Sequence, residues 1–399
     1  MSHSRARRLV VLALAAFVSL GLPDGLLGVA WPSIRRAFDL PTSQLGALLA
    51  ASMIGYLVSS FTSGAIVGRL GIGPLLLGST LAMVASLAGY ATSPAWGLVL
   101  VSALLAGLGA AGIDAGINTF AAAHFTPRLV NWLHASYGVG AMLGPFVMTG
   151  MLATDLGWRA GYAVVGLILG GMAAGFWFTL DLWRAPAAAG RSWTGEVESP
   201  PGLLATARRP TVGIGIAVFF VYAGLEVAAG QWMYSLLTEA RGTAPAVAGV
   251  SVGLYWGSLT AGRLVFGALT RYVPADRLLR VAMLAAPIAA ALIWSGPTPI
   301  VDFVGLVGLA FALAPIYPLL ISATPRRVGV EHAANAIGLQ VAAAYVGTAA
   351  IPGLIGIVAN RAGLEVIGPS LLATALVLLL LQKLALHHAS RLRSAPIAT

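Results

Sequence analysis

No cysteine occurs among the 399 residues, and lysine occurs only once. The first absence removes disulfides, thiolate chemistry and most soft-metal sites. Charge is scarce too. Asp, Glu, Lys and Arg together make up 9% of the chain, against roughly 25% in soluble domains, while 58% is hydrophobic. A water-soluble chain of this size cannot hide so many apolar side chains, because much of any folded surface faces water. A soluble enzyme, a nucleic-acid binder and a secreted disulfide scaffold are therefore excluded. There is no Gly-x-x-x-x-Gly-Lys-Ser/Thr loop to drive an ATP-powered pump. Nor does any nucleophile–base or metal-ligand constellation mark an intramembrane enzyme, so the expectation is no cofactor, no metal and no catalytic residue.

What is present points to a bilayer. The chain carries 49 glycines and 10 tryptophans; glycine lets membrane helices approach closely, and tryptophan collects at the lipid interface. The net charge of +10 is scattered through short loops between apolar stretches, which is a topology signal rather than a nucleic-acid footprint. Arg5, Arg7 and Arg8 before an apolar run mimic a signal peptide, but many further spans follow, so this reads as an uncleaved first helix.

A bilayer crossing needs about 20 apolar residues. Such stretches fall at about 9–32, 44–68, 72–92, 96–123, 131–153 and 158–182, then at about 210–238, 246–270, 277–296, 299–322, 332–359 and 365–387. The expectation is an all-α membrane protein of twelve transmembrane helices. The one long polar segment, 184–209, divides it into six-helix halves at 1–183 and 210–399. With the N-terminus in the cytoplasm, the inner loops, termini and linker hold 17 of the 23 Lys and Arg residues and the outer loops hold 5, with Arg263 inside a helix. One misplaced span would scramble that bias. Both termini and the linker are thus expected in the cytoplasm of a bacterial cell, the protein crossing the inner membrane many times. Gly68-Arg69-Leu70 and Gly262-Arg263-Leu264, each late in the second helix of its half, echo one another. Six helices plus six, with weak internal repetition, is the layout of secondary transporters.

Three stretches carry a family resemblance. Gly64 to Gly73 reads GAIVGRLGIG, which keeps Gly64, Arg69 and Gly71 of the loop pattern G-x-x-x-D-R-x-G-R-R between helices 2 and 3, with Gly68 in place of the acid. VYAGLEVAAGQW at 221–232 and LYWGSLTAGRLVFGAL at 254–269 resemble helices 7 and 8 of the fucose permease branch of the major facilitator superfamily. The resemblance implies two pseudo-symmetric six-helix bundles and transport of hexose-like solutes, coupled to protons or, in some relatives, to sodium. Loss of the acid at Gly68 puts the usual charge-relay role of Arg69 in doubt and leaves it as a structural or gating candidate.

A carboxylate inside the hydrocarbon costs about 2.5–3.5 kcal/mol on insertion scales. It is therefore either functional or tied into a structural pair. Asp24, flanked by Pro23 and Gly25, lies roughly 5 Å outside the midplane of helix 1, and Asp114 roughly 6 Å inside that of helix 4, at 1.5 Å per residue. The branch places acids on helices 1 and 4 in sugar binding and proton coupling, which makes Asp24 and Asp114 the proton-coupling candidates. A kink-stabilising aspartate and a helix-packing network are the structural alternatives. Glu226, near the centre of helix 7, either faces the ligand or pairs with Arg263 as a structural or gating ion pair. Asp24, Asn118, Tyr137, Glu226, Gln231, Trp232, Tyr255 and Gln340 are the substrate-binding candidates, since amides bond sugar hydroxyls and aromatic faces meet sugar C–H groups. His134 and Asp302, at helix ends, read as solvated groups, and Asn335 is a further amide that could bond a sugar, a weaker candidate on its own.

The reading that results is alternating access by a monomer: proton-coupled uptake of a neutral hexose or similar small polar solute, with sodium as the other candidate ion. The rival keeps the fold and reverses the traffic, as a proton-coupled antiporter exporting a drug or metabolite. Gly144-Pro145 on helix 5, similar to a bend motif associated with antiporters, leans that way.

Overall fold

The structure, a computed structural model, describes residues 3–183, 201–296 and 298–394; most of the expected linker, 184–200, lies outside the described residues. Twelve long helices run through them, and no strand occurs among them. They are α1 (His3–Ala37), α2 (Gln44–Leu70), α3 (Ile72–Thr92), α4 (Trp96–His124), α5 (Pro127–Leu152) and α6 (Gly157–Phe178). There follow α7 (Pro210–Ser235), α8 (Pro245–Leu269), α9 (Ala275–Ser295) and α10 (Pro299–Leu313), which resumes after a two-residue break as Ile316–Val328. The last two are α11 (Val330–Ala362) and α12 (Ile367–Ser394). Each coincides with an apolar stretch expected from the sequence, within a few residues at most ends. The largest departures include the two outermost ends, where α1 starts at His3 and α12 runs on to Ser394, while α6 stops short and gives way to a 3-10 turn at Leu180–Trp183.

Proline sets several of these starts. It occupies the first turn of α5, α7, α8 and α10, where its missing N–H was never needed. Eleven of the twelve helices are long and apolar enough to cross a bilayer. The twelfth, α8, falls short in hydropathy because Ser251, Tyr255, Ser258, Thr260 and Arg263 interrupt it. At the α2–α3 turn Gly71 takes φ +90°, a conformation that L side chains rarely adopt.

The packing repeats itself. In the first half α1 lies on α5, α2 on α4, α3 on α4 and α3 on α6; in the second, α7 lies on α11, α8 on α10, α9 on α10 and α9 on α12. Each pair in the second list is its counterpart in the first advanced by six helices. Glycine permits the tightest of these approaches. A methyl group on Gly21 would stand 2.1 Å from the Tyr137 carbonyl oxygen, across α1–α5. One on Gly347 would stand 2.1 Å from the Phe220 carbonyl oxygen, across α7–α11. Neither site has room for a side chain.

The halves meet along α2–α11, α5–α8 and α1–α7. Their contacts are confined to one end and the middle of the molecule. At the end away from the termini, Arg35 Nη2 lies 2.9 Å from Glu239 Oε1, and the Thr42 amide donates to Asn360 Oδ1 at 3.2 Å. Gly28 backs onto Gly230 and Gln231, and Gly46 onto Gly353. Gly249, Gly253 and Gly257 receive Thr149, Phe146 and Met142 along α5–α8, as far as Gly138 against Thr260. Beyond Gly138 and Tyr56, no hydrogen bond, ion pair or close glycine contact joins the halves among the described residues. Gly64, Gly68 and Gly267 face open space. The cleft between the halves is shut at one end and open at the end that bears the termini.

At the shut end Asp302 corrects the expectation of a hydrated group. It is only 2% exposed and pairs with Arg241. The same guanidinium donates to Glu365 at 2.8 Å and to the Ile293 carbonyl at 2.9 Å, tying three loops of the second half together. Burial opposes the charge on Arg241, but Glu365 and Asp302 outweigh it and hold the group above its usual range. At the open end the described part of the linker, with its short helix Leu203–Ala207, is strapped to the start of α11. Thr206 Oγ1 lies 2.8 Å from His332 Nδ1, and Asn335 donates to the Pro201 carbonyl at 2.8 Å.

Candidate functional site

Three carboxylates stand in the interior of the helix assembly, and a tyrosine hydroxyl donates to each. On α1, Pro23 and Gly25 flank Asp24, whose Oδ2 accepts from Tyr137 of α5 at 2.6 Å. Gly25 and Gly144 bring those two helices together at this level. Gln231 of α7 reaches across from the second half, its Nε2 donating at 3.4 Å to the Asp24 carbonyl. Asp24 and Gln231 both border a cavity that runs in among α1, α2, α3, α4 and α6.

On α4, Asp114 accepts from two neighbours. Asn118, one turn on, donates to Oδ1 at 2.8 Å, as the i,i+4 spacing dictates. Tyr56 of α2 donates to Oδ2 at 3.0 Å. Tyr345 of α11 lies over Tyr56, ring centroids 3.9 Å apart and planes 27° from parallel, and its hydroxyl donates to that of Tyr56. A chain of two hydroxyls thus runs from the second half to Asp114.

On α7, Glu226 accepts from Tyr222, one turn back, and Arg263 Nη2 lies 3.4 Å from both carboxylate oxygens. Tyr255 donates at 2.7 Å to the Glu226 carbonyl. Arg263 also lies within electrostatic range of Tyr137 and His134 on α5, so one cation addresses both halves. Tyr317 of α10 stands beside Tyr222, with centroids 6.1 Å apart.

Not all of the expected residues converge. Trp232 is fully buried, and its Nε1 donates to the Pro352 carbonyl at 3.0 Å within the second half. Tyr255 is likewise fully buried and spends its hydroxyl on backbone. Gln340 is remote from the acids; its Oε1 accepts from Thr324 at 3.0 Å, and it borders a different cavity near the start of α7. Arg69 is exposed at the open end of α2. His134 is exposed, with Phe17 meeting it edge to face at 5.6 Å. The sequence reading had not singled out Tyr56, Tyr222, Tyr317 or Tyr345, although the spacing of Tyr222 and Glu226 is itself an i,i+4 signal.

Carboxylates facing a cleft that is closed at one end and open at the other, between two halves of matching packing, are the parts of a carrier. Residues 12–388 match the Major Facilitator Superfamily. The chain belongs to that superfamily.

As a member of it, the chain is a multi-pass membrane transporter of a small molecule, not an enzyme. It is 23% identical over 395 residues to Bypass of stop codon protein 6 of Saccharomyces cerevisiae, covering 90% of this chain and 78% of that one. It is 22% identical over 356 residues to the Glucose/mannose transporter GlcP of Bacillus subtilis, covering 86% of each. Among solved structures, the nucleoside transporter NupG superimposes with a TM-score of 0.76 at 15% identity, over 94% of this transporter and 99% of that chain. FucP in its outward conformation gives 0.62 at 16% identity, over 94% and 98%. The structural matches establish the all-α superfamily fold, and the likeness to sugar permeases read from the sequence has its counterpart in GlcP and FucP.

Proposed function

We propose that this transporter imports a small neutral polar solute of the hexose class together with protons, by alternating access. One observation carries the reading: Asp24 and Asp114 face the interior with tyrosine hydroxyls as partners and, among the described residues, no cation within ion-pairing distance, whereas Glu226 has Arg263. An uncompensated carboxylate in a membrane interior is expensive while charged and cheap once protonated. Proton binding to Asp24 or Asp114 therefore lowers the cost of moving the loaded carrier, and the membrane potential adds about 2.3 kcal/mol per charge per 100 mV. Similarity to a glucose/mannose transporter and to a nucleoside transporter supports a hydroxylated, uncharged cargo.

In this reading residues 1–183 and 210–399 are the two rocking bodies and 184–209 the cytoplasmic linker. Both termini lie in the cytoplasm, and the membrane is the bacterial inner membrane. The cleft then faces the cytoplasm, and the shut end is the outer one. Asp24, Asp114, Asn118, Tyr137, Glu226 and Gln231 form the working surface. Glu226 and Arg263 act as a pair, Tyr255 steadies the Glu226 backbone, and Trp232 and Gln340 brace the second half elsewhere.

The test is reconstitution in liposomes with a trapped pH dye, an imposed potential and a panel of hexoses. Hexose-triggered acidification of the lumen, lost in Asp114→Asn, is the expected result. Acidification that fails unless a sodium gradient is supplied would replace the proton by sodium. Silence toward hexoses, with proton efflux on adding lipophilic cations, would overturn import in favour of antiport.

A further inference from the structure

The cavity beside Asp24 penetrates the first half, behind the cleft. Its walls come from α1, α2, α3, α4 and α6, with Gln231 as the contribution of α7. Deepest in sequence terms from the expected site is Tyr162 of α6. Its ring stacks on Tyr90 of α3, with centroids 4.5 Å apart and planes 11° from parallel, and Trp158 meets its edge at 6.0 Å. The ring is thereby fixed, and the residue is 2% exposed. Its hydroxyl nevertheless has no hydrogen-bond partner, and neither has Oε1 of Gln231, a residue 5% exposed on the facing helix.

Native interiors rarely leave such groups unmet, and two around one cavity point to an occupant that supplies hydrogen bonds. One of them is a donor and the other an acceptor. A metal ion would satisfy only the acceptor. A hydroxyl group, which donates and accepts, satisfies both. The rest of the lining suits a polyol: Ser52 offers a hydroxyl, Asp24 a strong acceptor, and Leu48 and Leu87 apolar surface for C–H groups, while Ser86 spends its proton on the Ser102 carbonyl at 2.6 Å. The room inside, about 90 Å³ for the centres of water-sized groups, suits one end of a solute rather than a whole hexose.

We infer that this cavity is a binding subsite for a hydroxyl-bearing part of the solute, with Tyr162 a specificity-determining residue and Gln231 the lid. The inference rests on the import of a neutral polyol proposed above. The lid follows from geometry. A methyl group on Gly28 would stand 3.0 Å from Gln231 Cα and 2.7 Å from the Gly230 carbonyl oxygen, so α1 and α7 are in backbone contact there. Parting of the halves at the shut end withdraws Gln231 from Asp24 and opens the subsite toward that end. A solute arriving from outside meets it before it meets Asp114.

The test is isothermal titration of detergent-solubilised protein with glucose, mannose, galactose and fucose, each also as a series of monodeoxy forms. Wild type is compared with Tyr162→Phe, which keeps the ring stack, and with Gln231→Leu. Loss of one neutral hydrogen bond predicts about five- to tenfold weaker binding of the best hexose. In Tyr162→Phe, removing the hydroxyl at one sugar position costs nothing further, while the other deoxy penalties stay as in wild type. Gln231→Leu loses discrimination of its own. Uniform weakening across all deoxy forms, or affinities unchanged from wild type, would overturn the subsite while leaving the transport proposal standing. If wild type binds none of these hexoses, the transport proposal fails and the subsite with it.

Discussion

Tyr222 reaches Glu226 from one turn away on the same helix, whereas Tyr56 reaches Asp114 from another helix and Tyr345 reaches Tyr56 from the other half. The first link survives any rearrangement of rigid helices. The last cannot survive separation of α2 from α11. Tyr345→Phe keeps the ring stack and removes the hydroxyl from the chain that ends on Asp114. It should slow hexose-driven proton flux several-fold and leave the exchange of labelled hexose across a bilayer at equal pH near the wild-type rate, as counterflow in liposomes would show. The Glu226–Arg263 pair makes a different demand. Removing one partner of a largely buried pair strands the other charge, while replacing both with apolar residues is often tolerated. Arg263→Leu should therefore lower the melting temperature by several degrees, and Arg263→Leu with Glu226→Leu should recover most of the loss in a fluorescence melt.

The acids were legible because each is a lone charge in an apolar run. Their tyrosine partners were not. Tyrosine is common at membrane interfaces, and Tyr56 is 58 residues from Asp114 and 289 from Tyr345. Trp232, Tyr255 and Gln340 read as binding groups in sequence; in the structure Trp232 and Tyr255 donate to backbone and Gln340 Oε1 accepts from Thr324, all inside their own half.

At the scale of elements, helix boundaries were readable because proline starts, glycine turns and arginine ends coincide with the apolar runs. α8 shows where the two signals part. Its apolar run at 246–270 is visible, yet its mean hydropathy falls short of that of the other spans, and the alternation of arginine between loops requires it. Its polar side chains are what make it a cleft helix. Close approach between helices was only half visible: glycines could be counted, but not which of them faced a partner. Gly46 does, since a methyl group there would stand 2.7 Å from the Gly353 backbone. Gly46→Val should wedge α2 from α11 at the shut end. The chain has no cysteine of its own, so Thr42→Cys with Asn360→Cys gives a crosslink without background, and that crosslink should fall sharply in the Gly46→Val protein.

For the whole molecule, the repeat of packing by six helices means that α2–α11 and α5–α8 are the same contact made twice, with α1–α7 on the axis between them. Arg35 and Glu239 latch that axis at the shut end, each side chain about a quarter exposed. Such a pair is worth at most about 1 kcal/mol and weakens with salt, so the latch biases the carrier without locking it. Arg35→Ala should shift the balance between shut and open outer ends no more than about fivefold, and high salt should mimic part of the shift in wild type. Spin-label distances across the α1–α7 end would read both.

Beside that latch, the Thr42–Asn360 bond and the Thr149 and Phe146 side chains seated on Gly249 and Gly253, the shut end is closed by glycine backbone laid against backbone, Gly28 on Gly230 and Gly46 on Gly353. Dispersion holds such surfaces, and a gap of about 0.5–1 Å already forfeits a quarter to a half of it. The door at that end is thus a short-stroke one, and a movement smaller than a side chain gives up much of its hold.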